Sequence, residues 1–218
     1  MLYSYTNYVN SPIQVIDKQL TYPGYADEPK GKVIELTNTT ESSQSLDKIF
    51  KDDEFKTGTL YYAFLVNIKG INTEATQASD FIALVQQRGT TFTDGNKGFT
   101  FGRVFAKESS TGHFYLGICR GQGTESAVSF APDEYEYGKT YLVVVKYEIV
   151  GDNTGLSDAD DNVSLFVNPQ TGTDEPTTPT AVHTNTTTKD FRIGYTTGGL
   201  KGIALMQNHS GYRNAVNA

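Results

Sequence analysis

Residues 141–169, YLVVVKYEIVGDNTGLSDADDNVSLFVNP, constrain the fold of this chain more than any other segment. In the first run Tyr141, Val143, Val145, Tyr147 and Ile149 fall on one face, and Leu142, Val144, Lys146 and Glu148 on the other. In the second, Val163, Leu165 and Val167 alternate with Ser164, Phe166 and Asn168. A period of two sets successive side chains on opposite faces of a sheet. Two such runs joined by a turn-rich insert therefore predict an antiparallel hairpin, closed here by Asn-Pro.

The same criterion finds about a dozen strands along the chain and no convincing helix. Strands are expected at residues 13–16, 32–36, 60–68, 81–86, 99–106, 113–119, 141–149, 163–168, 191–195 and 202–206, with shorter ones at 19–22 and 127–130. In LYYAFLVNI, Leu60, Tyr62, Phe64, Val66 and Ile68 form one apolar face, which predicts a central strand. Turn chemistry punctuates the runs: Tyr22-Pro23-Gly24-Tyr25, Thr93-Asp94-Gly95-Asn96 and Ser110-Thr111-Gly112. Residues 170–189 are rich in Thr and Pro and read as a long, polar surface loop. The strands after it are too few for a second domain, so residues 1–218 are expected to form one all-β, two-sheet antiparallel sandwich. A chain of 218 residues fits one such unit without metals or disulfides.

Charge excludes some partners. The formal net charge is -7 and no Lys/Arg run occurs, which argues against nucleic acid or an anionic membrane surface. The apolar runs YYAFLV and YLVVV are far short of the ~20 residues of a membrane-spanning helix, so no membrane span is expected. Residues 1–20 are polar and Tyr-rich and carry no signal-peptide pattern. The single Cys119 lies in the alternating run HFYLGIC and reads as a small strand residue.

The ordered succession of LTYPGYADEPKGKVIEL (20–36), GTLYYAFLVNIKG (58–70), GFTFGRVFAKE (98–108), HFYLGICRG (113–121), the hairpin with Lys146-Tyr147 and VSLFVNP, Glu175-Pro176 and GLKGIALMQ (199–207) carries a resemblance. It resembles the laminin-G-like, concanavalin A-like lectin/glucanase domains of surface and secreted proteins of Bacteroidetes-type bacteria. The resemblance implies a jelly roll at an extracellular or cell-surface location. Such folds hold glycan-binding modules, adhesion domains and glycosidases, and function must be argued from sites. The chain departs from the family at both ends. It starts abruptly at Met1, and NHSGYRNAVNA is a poor version of the Asp-Gly-Ile-Arg-Val-like closing strand. Either the sandwich is trimmed or a neighbouring chain covers an exposed edge.

No catalytic pattern stands out. A concanavalin-type glycosidase needs carboxylates paired on one strand, with E-x-D-x-x-E as the usual spacing. Asp52-Asp53-Glu54 and Asp133-Glu134-Tyr135-Glu136 lack it and read as solvated loop charge, although Glu134 and Glu136 share a side as a non-standard pair. His113, His183 and His209 lack partners at metal-ligand spacing. The segment GRGQG lacks both the helix and the Lys-Ser/Thr of a phosphate loop.

The hairpin tip concentrates six Asp or Asn side chains in residues 152–162. Ca²⁺ takes about six to eight hard oxygen ligands, and Asp158, Asp160 and Asp161 are the candidate ligands. A solvated turn has the same composition and is the preferred reading, so no cofactor is expected beyond this Ca²⁺ candidate. For sugar binding, aromatic platforms are required. Tyr22, Tyr25, Tyr135 and Tyr137 are the candidate ligand-binding residues, and the absence of Trp weakens them. The first reading is a non-catalytic extracellular binding or adhesion module for a glycan or surface polymer. The alternatives are an assembly or decoration domain of a cell surface or virion, and a glycoside hydrolase with unusual carboxylates.

Overall fold

A computed structural model describes residues 2–7, 13–25, 31–37, 43–50, 54–72, 78–88, 99–121, 125–155, 158–193, 197–207 and 215–218. In chain order the strands are β1 (Leu2–Asn7), β2 (Gln14–Ile16), β3 (Val33–Glu35), β4 (Ser43–Ile49), β5 (Gly58–Asn67), β6 (Gly70–Asn72), β7 (Ser79–Arg88), β8 (Phe99–Ser110), β9 (His113–Cys119), β10 (Ser129–Phe130), β11 (Tyr135–Glu136), β12 (Thr140–Ile149), β13 (Asn162–Val167), β14 (Ala181–His183), β15 (Thr197–Gln207) and β16 (Ala215–Asn217). Among the described residues a single 3-10 turn, Glu125–Ala127, interrupts them. No helix among the described residues is long and apolar enough to cross a membrane.

Every strand pair is antiparallel, and the sheets face each other as a sandwich. The larger sheet runs β1-β4-β15-β7-β8-β9-β10, with β11 also on β9. The smaller runs β14-β13-β12-β5, and two ribbons, β2-β3 and β6-β16, complete the set. The expected antiparallel hairpin forms, with Val143 opposite Val167 and Tyr147 opposite Val163. Its open end, opposite the turn, is fixed by Asn168, which adopts φ 53° before Pro169. The Asn168 side-chain oxygen accepts from the Leu142 N–H at 3.0 Å, and its own N–H donates to Leu142 O at 2.7 Å.

The alternation fills the core. Val143, Val145, Tyr147, Val163 and Leu165 are fully buried against Ile82, Leu84, Val104 and Leu116 of the larger sheet. Burying each such aliphatic side chain is worth about 1.5–3 kcal/mol. A bulge in β8 gives Tyr147 its room: between the pairs Ile82–Val104 and Leu84–Phe101 the register slips. Gly102 sits there at φ 53°, where an added Cβ would come within 3.1 Å of the Tyr147 ring. The turn at Tyr22–Tyr25 forms as read, with Gly24 at φ 71° and the Tyr25 N–H on Tyr22 O at 3.0 Å.

Several expectations are corrected. The strand expected to be central, β5, pairs with β12 alone among the described residues and is there the edge of the smaller sheet. Its apolar face packs on the opposite sheet, which is what the alternation reported. Residues 170–189 are more than a polar loop: β14 lies within them and pairs with β13, and Ala181, His183 and Thr188 are buried. Residues 191–193 form no strand, and neither do 19–21. The expected turn at Thr93–Asn96 and His209 lie outside the described residues.

Candidate functional site

A cleft of about 440 Å³ runs along the outer edge of β5. Five successive β5 residues line it, Ala63 to Asn67. Successive strand residues alternate faces, so a cavity that touches all five follows the edge of the strand rather than either face. The facing wall is the β2-β3 ribbon, again through consecutive residues, Val33 to Leu36. Phe81 and Ile82 of β7 and Ile203 and Leu205 of β15 form the floor. One end is closed by Leu36, whose backbone exchanges hydrogen bonds of 2.9 and 3.1 Å with Ala218 just after β16.

The mouth is basic on an acidic chain. Lys18, Lys32 and Lys69 line it together with Glu35. Lys69 pairs with Glu35, and Lys32 with Asp17 at 3.2 Å. Lys18 makes no ion pair among the described residues. On the ribbon Val15 and Ile34 stand opposite each other and remain 61% and 39% exposed, and Ile34 lines the cleft.

The acidic hairpin tip makes a different kind of site. Carboxylate oxygens of Asp160, Asp161 and Asp190 lie within 4.8 Å of one another. Asp161 accepts from Val150 N (2.7 Å), Tyr147 Oη (2.8 Å) and Asn153 Nδ2 (3.0 Å). Asp190 accepts the N–H groups of Asp160 (2.7 Å) and Asp161 (3.2 Å). Its other oxygen faces Arg120 Nε at 2.9 Å. Arg120, only 3% exposed, also donates to the carbonyls of Asp161 (2.7 Å), Asn185 (3.0 Å) and Thr188 (3.1 Å). His183 Nε2, at the end of β14, meets Thr188 Oγ1 of the same loop at 2.7 Å.

This donor set does not fit Ca²⁺. The buried carboxylates spend their lone pairs inside the protein, and a guanidinium already stands against Asp190. Two buried oxygens here, Asn153 Oδ1 and Asp190 Oδ1, are left without a hydrogen-bond donor, and the second already faces Arg120 Nε at 2.9 Å, which is far from the about six to eight ligands the ion takes. Of the sequence candidates, Asp160 and Asp161 come together, with Asp160 exposed. Asp158 instead accepts from Gly155 N at 2.8 Å and closes the tip locally. Burial and the neighbouring Asp161 push the Asp190 carboxyl up to about 6, and burial raises Asp161.

The aromatic candidates separate. Tyr135 is buried and Tyr137 half-buried, in a cluster with Phe114 and Tyr141 at centroid distances of 5.1–6.1 Å, so core neighbours occupy their ring faces. Tyr22 and Tyr25 are half-buried on a turn whose Pro23 carbonyl accepts from Thr171 at 3.2 Å. Nothing brings the two pairs into one platform. Glu136 is held below the usual carboxylate range by Lys139, 2.6 Å away, the opposite of the raised value a general acid needs. Glu134 accepts from Tyr115 at 3.2 Å. His113 lies at a hairpin end beside Thr111 O. Cys119 is buried, and burial raises its thiol.

Sequence reasoning missed Arg120, Asp190 and the cleft. The only local signal for Arg120 is a charge directly after an apolar strand and before Gly121, in GICRG. An added Cβ at Gly121 would come within 2.2 Å of Lys189 O, so that glycine marks where the loop closes on Arg120. Comparison with models of protein families, with curated proteins and with solved structures gave no match.

Proposed function

We propose that this chain is a non-catalytic binding module that takes its ligand in the cleft between β5 and the β2-β3 ribbon. One observation carries the reading: about 440 Å³ of space with an apolar floor and a lysine-lined mouth. Ligand pockets are typically about 300–1,000 Å³, mostly apolar, with a few polar groups that orient the ligand. The jelly-roll topology and the extracellular or cell-surface location implied by the family resemblance belong to the same proposal.

A dye that is both apolar and anionic, 8-anilinonaphthalene-1-sulfonate, tests it. Binding should be saturable at about one dye per chain, with a normal near-UV circular dichroism spectrum, because loosened proteins bind this dye as well. Ile34→Glu, at an exposed position, should weaken binding by about tenfold while leaving the melting curve in place. Absent binding, or binding indifferent to Ile34→Glu, would count against the cleft.

A second reading, carbohydrate binding, has its own support. Tyr61 is 47% exposed on the outer face of β5. Its hydroxyl donates to Glu175 at 2.6 Å, and Lys146 lies 5.9 Å from its ring centre, bonded to Glu148 and Glu175. An aromatic face beside one ammonium and two carboxylates is a plausible sugar platform. On a glycan array, Tyr61→Ala should reduce any signal by about fivefold or more. An unchanged signal would remove this reading.

A further inference from the structure

The two walls of the cleft are both strand edges, and that narrows what fits. Resting on the reading of the cleft as the ligand site, we infer that it is a strand-insertion slot for an extended peptide, apolar at alternate positions and acidic at the end beside Lys18. Three observations lead there. Among the described residues β5 has a strand on one side only, although it is ten residues long. About half of its N–H and C=O groups therefore point away from β12 and into the slot. Second, β3 pairs with β2 and presents its other backbone face to the same space. Third, the floor between them consists of core side chains: Phe64 and Val66 of β5, Phe81 of β7, and Ile203 and Leu205 of β15.

A strand laid between β5 and β3 satisfies all three. Its backbone pairs with an edge, every second side chain lands on the apolar floor, and the others face water. This is strand addition, in which main-chain hydrogen bonds give affinity and alternate side-chain pockets give specificity. A long open edge is otherwise a liability that proteins cover. A second copy of the chain fits less well. Its edge strand would arrive with a sheet attached, and the β2-β3 ribbon stands where that sheet would have to pass. The acidic preference follows from charge. The chain carries net charge -7, yet the slot is lined by three lysines and one glutamate, and Lys18 has no ion-pair partner among the described residues.

The test uses a display library of ten-residue peptides with apolar residues at alternate positions, half ending in Asp-Glu and half in Lys-Lys. Dodecanoate serves as a competing apolar anion without a peptide backbone. The acidic half should be enriched. The best binder should protect the amides of residues 63–67 from hydrogen exchange. N-methylation of one central peptide amide should cost about tenfold in affinity. Lys18→Glu should weaken the acidic peptide by about fivefold and flatten its salt dependence. If the N-methylated peptide binds equally well, or if dodecanoate binds and no peptide does, strand insertion is wrong while the cleft remains a ligand site. If the peptides, dodecanoate and the dye all fail to bind, the cleft reading falls with it.

Discussion

Replacing Arg120 with methionine is expected to destabilise the fold by about 3–5 kcal/mol, because it strips the partner from a buried charge. Four contacts converge on this guanidinium: Asp190 and the carbonyls of Asp161, Asn185 and Thr188. Arginine suits the position because its planar fork offers donors in several fixed directions. Those contacts join the end of β9, the hairpin tip and the loop after β14, three segments far apart in sequence. Methionine matches the length of the side chain and none of its donors, so three carbonyls and one carboxylate are left buried without it. Arg120→Lys should fall between wild type and methionine, since one ammonium keeps the charge but cannot span the acceptors. Adding Asp190→Leu to Arg120→Met should recover part of the loss, because a buried pair replaced by apolar residues costs less than one that is broken. Urea titration measures all three. A methionine variant within about 1 kcal/mol of wild type would show that the cluster contributes little.

What was legible in the sequence was local, and what was missed was set by distant partners. The hairpin of β12 and β13 could be read because five alternating residues with no competing period admit one arrangement, although the long insert left its register to the structure. The same alternation in β5 reported a half-buried strand correctly and said nothing of its place in the sheet. A strand with one apolar face looks alike at the centre and at the edge. Its position, and with it the cleft, is decided by which strand pairs beyond it. In β4 the run SQSLDKI carries little alternation and still forms a strand, held between β1 and β15. In β14, AVH lies in a Thr/Pro-rich run and is a strand because β13 offers it a ladder. Tyr135 and Tyr137 looked like loop aromatics because two residues are too few to show a period, and it is the pairing of Tyr135 with Phe114 that carries them into the core. The acidic tip is the most instructive case. Its composition signalled concentrated charge, and the charge is there, but its cation is an arginine directly after β9 that no spacing rule within the hairpin could supply.

The same cluster should give the protein an unusual pH response: stability contributed by Asp190 should fall, rather than rise, as pH increases from about 4 to about 6. The carboxyl is raised from 3.8 to about 6 by burial and then by Asp161, and these outweigh the attraction of Arg120, because two buried carboxylates face one guanidinium. Asp161 is raised in the same direction. Between the unfolded and folded values the native state therefore holds more protons than the unfolded chain, and deprotonation favours unfolding. The contribution is fully present below about 3.8 and lost as pH passes about 6, with a full size on the order of 3 kcal/mol. Other groups act in the opposite sense. Burial and Arg120 lower His183, so its contribution is lost as pH falls below 6.5. The exposed acids Glu54, Asp152 and Glu175 are lowered by their hydrogen bonds and favour folding as pH rises through the carboxylate range. The measurement must therefore be a difference. Urea stabilities of wild type and Asp190→Asn are compared from pH 4.5 to 7, with His183→Gln as a second background. Wild type should gain on the variant by on the order of 2 kcal/mol toward the acidic end. If the two curves run parallel across that window, Asp190 does not titrate there, and its ion pair with Arg120 outweighs its burial.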